Sequence, residues 1–176
     1  MVFTRYILLS KRHLPAQEYT QMNLNDLQME SITGEVISFS DFKDQALLIV
    51  NLASQWGLTS QYAGLRTLHE SGKVTVLGFP FNQFGAQEPG SNQEILEFAT
   101  SKYQVNFPMF AKLDVNGDAA APLYQWLCDE PADDKGKHPI AWNFDKFLIE
   151  KTGKHVKRYH PKVTLEDIAA ELDEIL

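Results

Sequence analysis

The sequence predicts an α/β fold, a central mixed β-sheet flanked by helices with an N-terminal β-hairpin. Two observations carry that prediction. The apolar run Ala46-Leu47-Leu48-Ile49-Val50 and the run Lys73-Val74-Thr75-Val76-Leu77-Gly78-Phe79 bracket a helical stretch that opens near Ser60. An unbroken apolar strand has both sheet faces covered, and strand, helix, strand in this order makes a right-handed parallel unit. The second observation is the chain's end, where a hairpin pattern is followed by an amphipathic helix.

Each element has a local cause. Glu35-Val36-Ile37-Ser38-Phe39 follows Thr33-Gly34 and reads as a hairpin strand. The first central strand covers residues 46–52. Ser91 with Glu94 three residues later is a capping box, which starts a helix from about Asn92 to Tyr103. Pro122 suits the first turn of a helix reaching roughly Asp129. Phe147-Leu148-Ile149-Glu150, the turn Lys151-Thr152-Gly153-Lys154 and His155-Val156-Lys157-Arg158-Tyr159 form an antiparallel hairpin. Thr164 caps the last helix, whose Leu165, Ile168, Leu172, Ile175 and Leu176 share one face. Together these elements describe a thioredoxin-like sandwich.

At 176 residues and 44% hydrophobic content the chain suits one compact domain. A formal net charge of -7 argues against nucleic acid or an anionic membrane surface as partner. No apolar run approaches the length of a membrane span. With a single cysteine, Cys128, and five histidines lacking helical pairing, neither a disulfide framework nor a metal site is expected. Cys128 lies within a helix and reads as a small buried hydrophobe.

Residues 1–21 differ in character, with Arg5, Lys11 and Arg12 against Glu18 alone. The segment fits a transit peptide in charge, but the expectation is a disordered tail or an upstream start, with the domain covering 22–176. The expected location is the cytoplasm.

The stretch Asn51-Leu52-Ala53-Ser54-Gln55-Trp56-Gly57-Leu58-Thr59 leads from the first central strand into the helix. Unpaired N–H groups and partial positive charge at a helix start stabilise an anion, so a thiolate there would have a depressed pKa. Position 56 instead carries an indole, which is neither acidic nor nucleophilic.

From Met22 onward the chain resembles the glutathione peroxidase family. The resemblance rests on Val50-Asn51-Leu52-Ala53-Ser54-Gln55-x-Gly57-Leu58-Thr59, on Gly78-Phe79-Pro80-Phe81-Asn82-Gln83-Phe84-Gly85-Ala86-Gln87-Glu88-Pro89-Gly90, and on Trp142-Asn143-Phe144-Asp145-Lys146-Phe147-Leu148-Ile149. Asp114-Val115-Asn116-Gly117 before Pro122-Leu123-Tyr124 is a weaker fourth match. The resemblance implies a thiol-dependent peroxidase that reduces hydrogen peroxide or organic and lipid hydroperoxides in antioxidant defence. It needs no bound cofactor, and glutathione or another low-molecular-weight thiol is the co-substrate. It also implies the candidate catalytic positions: Trp56, where the family carries selenocysteine or cysteine, with Gln87, Trp142 and Asn143 as hydrogen-bond donors around it. Neutral amide and indole N–H groups hold an anion without competing as acids. Without the resemblance, Gln87 reads as a solvated turn residue, Trp142 as a core aromatic and Asn143 as a turn former.

The chain departs from the family in other places. Phe81 stands where many relatives carry cysteine, and Glu94-Ile95-Leu96-Glu97-Phe98-Ala99-Thr100 lacks the resolving cysteine of thioredoxin-dependent members. What remains resembles the one-centre, selenocysteine-type branch of the family. UGA, the selenocysteine codon, is one base from the tryptophan codon UGG. Trp56 is therefore a replaced or decoded selenocysteine, an engineered inactive variant, or a natural pseudoenzyme residue plugging the pocket. The retained Gln87, Trp142 and Asn143 favour the first two. The short polar stretch between Leu127 and Ile140 resembles monomeric members that take bulky hydroperoxides. With only Arg66 and Arg158 inside the domain, tight clasping of glutathione carboxylates is not expected. The alternative class is a non-catalytic binding or interaction module.

Overall fold

The computed structural model describes residues 23–129 and 138–175, with the backbone alone at 155 and 156. The N-terminal extension and the polar stretch 130–137, on which the monomer expectation rests, lie outside the described residues. Strand β1 (Gln28–Glu30) pairs antiparallel with β2 (Val36–Ser38) as a two-stranded sheet. The reversal uses Gly34 at φ +91°, a conformation glycine adopts without a Cβ clash.

The central sheet has four strands in the order β4-β3-β5-β6. β3 (Leu47–Leu52) runs parallel to β4 (Thr75–Pro80) through helix α1 (Gln61–Glu70). β5 (Lys146–Ile149) lies antiparallel on the other side of β3, and β6 (His155–Tyr159) closes the sheet with an irregularity between Leu148 and Ile149. Helices α2 (Asn92–Tyr103), α3 (Pro122–Asp129) and α4 (Leu165–Ile175) complete the domain.

β3 explains why its sequence is apolar without alternation. Leu48, Val50 and Leu52 enter a core with Tyr62, Leu65 and Leu68 of α1, Ile95 and Ala99 of α2, and Ile168 and Leu172 of α4. Leu47 and Ile49 point the other way, into a core with Leu123, Tyr124 and Leu127 of α3. Each such fully buried side chain is worth about 1.5–3 kcal/mol, so the strand cannot slip register without exposing one whole set. At Gly64 an added Cβ would come within 3.0 Å of Leu165 Cγ, so glycine permits the close packing of α1 on α4.

Helix α2 begins with the expected capping box. The Ser91 hydroxyl accepts from Glu94 N–H at 3.3 Å and Glu94 Oε2 accepts from Ser91 N–H at 2.7 Å. Thr164 Oγ1 accepts from Asp167 N–H at 3.1 Å at the start of α4. The helix after position 56 begins at Gln61, next to the Ser60 opening that the sequence suggests. Between Trp56 and Gln61 the chain winds in tighter turns, with Thr59 N–H on Trp56 O at 3.1 Å and Gln61 N–H on Leu58 O at 2.9 Å.

Candidate active site

Three segments meet at one end of the sheet. β3 and β4 are parallel and β5 is antiparallel, so the loop after β3, the loop after β4 and the approach to β5 share that end. The first carries Trp56, the second Gln87, the third Trp142 and Asn143.

Asn51 at the end of β3 fixes the third segment. Its Nδ2 donates to Trp142 O at 2.9 Å, and its carbonyl accepts from Phe144 N–H at 2.8 Å. Phe144 is thereby held at φ 66°, a left-handed conformation unfavourable for a bulky residue. The buried Lys146 adds to this hold, its Nζ donating to Phe144 O at 3.0 Å and to Pro161 O at 3.3 Å. Burial pulls the Lys146 ammonium down to about 8.

Gln87 and Asn143 meet directly. Asn143 Nδ2 donates to Gln87 Oε1 at 2.6 Å, and Asn143 is fully buried. Gln87 is half-buried rather than solvated, and Asn143 lies in a turn as its local sequence suggests, but buried. Trp142 is 39% exposed, with its ring stacked on Phe84 at 5.4 Å between centroids. It is therefore a surface aromatic at the site's edge, where core packing was the local expectation. Trp56 is half-buried and lies on Phe144 at 5.6 Å between ring centroids. Its side chain meets the site through that ring, while the loops themselves join where Gln55 N–H donates to Gln87 O at 3.0 Å. The N–H of Trp56 is occupied by Thr59 Oγ1 at 3.1 Å, so the amide at this position is not one of the free donors of a helix start.

Several polar residues in the site carry no role in the sequence reading. Glu88 is fully buried; its carboxylate accepts from the Ser54 hydroxyl, and burial pushes it up to about 7. Its N–H donates to Asn82 Oδ1 at 2.9 Å, and Lys112 Nζ donates to the carbonyls of Glu88 and Gly90 at 3.2 and 2.6 Å. The available signal for Asn51 was a lone amide at the end of an apolar strand; Glu88 offered no local signal inside a polar loop. Phe81 is buried and packs edge-on against Phe84. Beside the Trp56 loop is a groove of about 480 Å³, with Ser54, Gln55 and Pro89 on one side and Glu94, Ile95 and Phe98 of α2 on the other. Among the described residues no group of His, Cys, Asp and Glu is placed to hold a metal. No helix there is long and apolar enough to cross a membrane.

The fold is thioredoxin-like, with Gln87 and Asn143 hydrogen-bonded to each other beside the loop after the first central strand. The glutathione peroxidase family model matches residues 24–128. A glutathione peroxidase homolog of Halalkalibacterium halodurans, BsaA, is 46% identical over 158 residues, covering 88% of this chain and all of that protein. A hydroperoxy fatty acid reductase of Synechocystis is 43% identical, covering 83% of this chain and 91% of the relative. Among solved structures, Trgpx in its apo form superposes with a TM-score of 0.71 at 33% identity, covering 88% and 95% of the two chains. The chain belongs to the glutathione peroxidase family.

Proposed function

We propose that this chain is a thiol-dependent hydroperoxide reductase framework that requires a selenol or thiol at position 56, and that with Trp56 it does not turn over. The single observation behind this reading is the Gln87–Asn143 hydrogen bond beside the loop of position 56. A nucleophile at 56 would attack the distal oxygen of a hydroperoxide. The O–O bond would break, the alkoxide would take up a proton and leave as alcohol, and a sulfenic or selenenic acid would form. Two thiols would return it to the starting state, yielding disulfide and water. Gln87, Trp142 and Asn143 are the neutral groups proposed to stabilise the anion.

Organic or lipid hydroperoxides are the preferred substrates in this reading. The name of the Synechocystis relative supports it, as does the groove with Ile95 and Phe98 in its wall. The two domain arginines are engaged within the fold, Arg66 with Gln104 and Glu70 and Arg158 with Asp145. That supports weak rather than tight glutathione recognition. We further propose a monomer, which sedimentation would test.

Peroxide-dependent glutathione oxidation decides the matter. The chain as it stands should give no rate above background, and Trp56→Cys should give one. A rate in the parent chain that survives alkylation of Cys128 would overturn the assignment. The second reading is a non-catalytic module whose pocket is closed by Trp56. It draws on the stacking of that indole over Phe144 and predicts that Trp56→Cys remains inert.

A further inference from the structure

The geometry points to Glu88 as a positioning residue, a clasp whose ionisation sets how firmly the loop of position 56 is held against the loop of Gln87. Glu88 is fully buried between the two loops. Its carboxylate accepts from the hydroxyl of Ser54, two residues before position 56. Beside that pair, one residue after Ser54 and one before Glu88, Gln55 N–H donates to Gln87 O at 3.0 Å. The dipeptides Ser54-Gln55 and Gln87-Glu88 are thus stitched side by side. Gln87 in turn grips Asn143, so the clasp links all three segments of the site.

The carboxylate has two distinct states here. Ionised, it accepts the Ser54 hydrogen bond with the added strength of a charged acceptor. Its other oxygen, Oε2, is buried and has no hydrogen-bond partner. A proton on Oε2 neutralises the group and leaves Ser54 bound to a neutral carbonyl oxygen, roughly half as strongly. Burial favours that protonation and brings it to about pH 7. The charged and titratable groups facing Glu88 are Lys112, which favours the ionised form, and Tyr62 of α1, whose phenol burial and Glu88 itself keep neutral. Glu94 at the head of α2 shares the field of Lys112.

The inference uses the proposed function only in taking position 56 as the reacting position; the clasp itself is testable in the chain as it stands. Trp56 serves as the reporter. In the full chain labelled with fluorotryptophan, the three tryptophans give separable fluorine signals, assigned by single Trp→Phe changes. The Trp56 signal should shift with a midpoint near pH 7. Glu88→Gln, which keeps the shape of the side chain but cannot ionise, should abolish that inflection. Ser54→Ala and Lys112→Gln each remove a group favouring the ionised form, so each should move the midpoint upward. A Trp56 signal that does not titrate, an inflection that survives Glu88→Gln, or midpoints unmoved in both other variants would overturn the clasp; the last holds even if Glu88→Gln fails to fold. In the Trp56→Cys background, the peroxide rate should show an inflection at the same midpoint that Glu88→Gln removes. A Trp56→Cys chain inert to peroxide, with the fluorine titration intact, would sink the proposed function and leave the clasp standing.

Discussion

Asn143 and Gln87, 56 residues apart, are joined by a 2.6 Å hydrogen bond from the Asn143 amide to Gln87 Oε1. Asn143 is fully buried and its own Oδ1 has no partner, so Gln87 is what satisfies this side chain. Gln87→Ala should therefore destabilise the fold by about 1–3 kcal/mol, the usual result of orphaning a buried donor. Gln87→Glu keeps the acceptor and should lose less. In the Trp56→Cys background, however, it should slow the peroxide step, because a carboxylate beside a forming thiolate disfavours it. Denaturant unfolding and stopped-flow peroxide kinetics on both variants separate the two effects.

Trp56→Cys should cost stability as well as restore chemistry. The change removes the indole's contact with Phe144, a loss of about 1–3 kcal/mol for a half-buried aromatic, while the fold persists. The new thiol should also stand apart from the native one. Cys128 is packed against the core of α3, and burial pushes its thiol up to about 11. Alkylation near pH 7.5 should modify position 56 first and Cys128 only slowly, as peptide mapping would record; equal rates would place the new thiol outside any activating environment.

Ser91→Ala should lower stability by about 1 kcal/mol, because the hydroxyl that accepts the Glu94 N–H is lost at the start of α2. An unfolding midpoint identical to that of the parent chain would mean that this cap contributes nothing.

Glu88 also predicts a pH dependence of stability with a definite sign. Its carboxyl is raised from 4.5 to about 7 in the fold, so the folded chain binds this proton more tightly than the unfolded chain. The favourable contribution is fully present below pH 4.5 and is lost as pH rises through about 7. Glu88→Gln should flatten the decline in unfolding free energy across that interval. A slope unchanged by the substitution would show that Glu88 does not bind a proton differently in the two states.

Much of the molecule was legible in the chain because its causes are local. The apolar run of β3, the Ser91/Glu94 box and the Thr164 cap depend on neighbours a few residues away, and the structure contains each of them. The motifs around positions 56, 87 and 142–143 likewise located the three segments that meet at one end of the sheet. What only the tertiary structure decided are the relations between segments distant in the chain. Trp142 is exposed at the site's edge while stacking on Phe84, and Asn143 is buried where it meets Gln87. The Ser54–Glu88 clasp requires β3 and β4 to lie side by side before the two residues can meet. The turn ahead of α1 is tied to Thr59, whose hydroxyl bonds the Trp56 backbone and holds it tight. Helix caps and strand periodicity are read from adjacent residues, whereas a buried polar group is defined by whatever the fold carries to it.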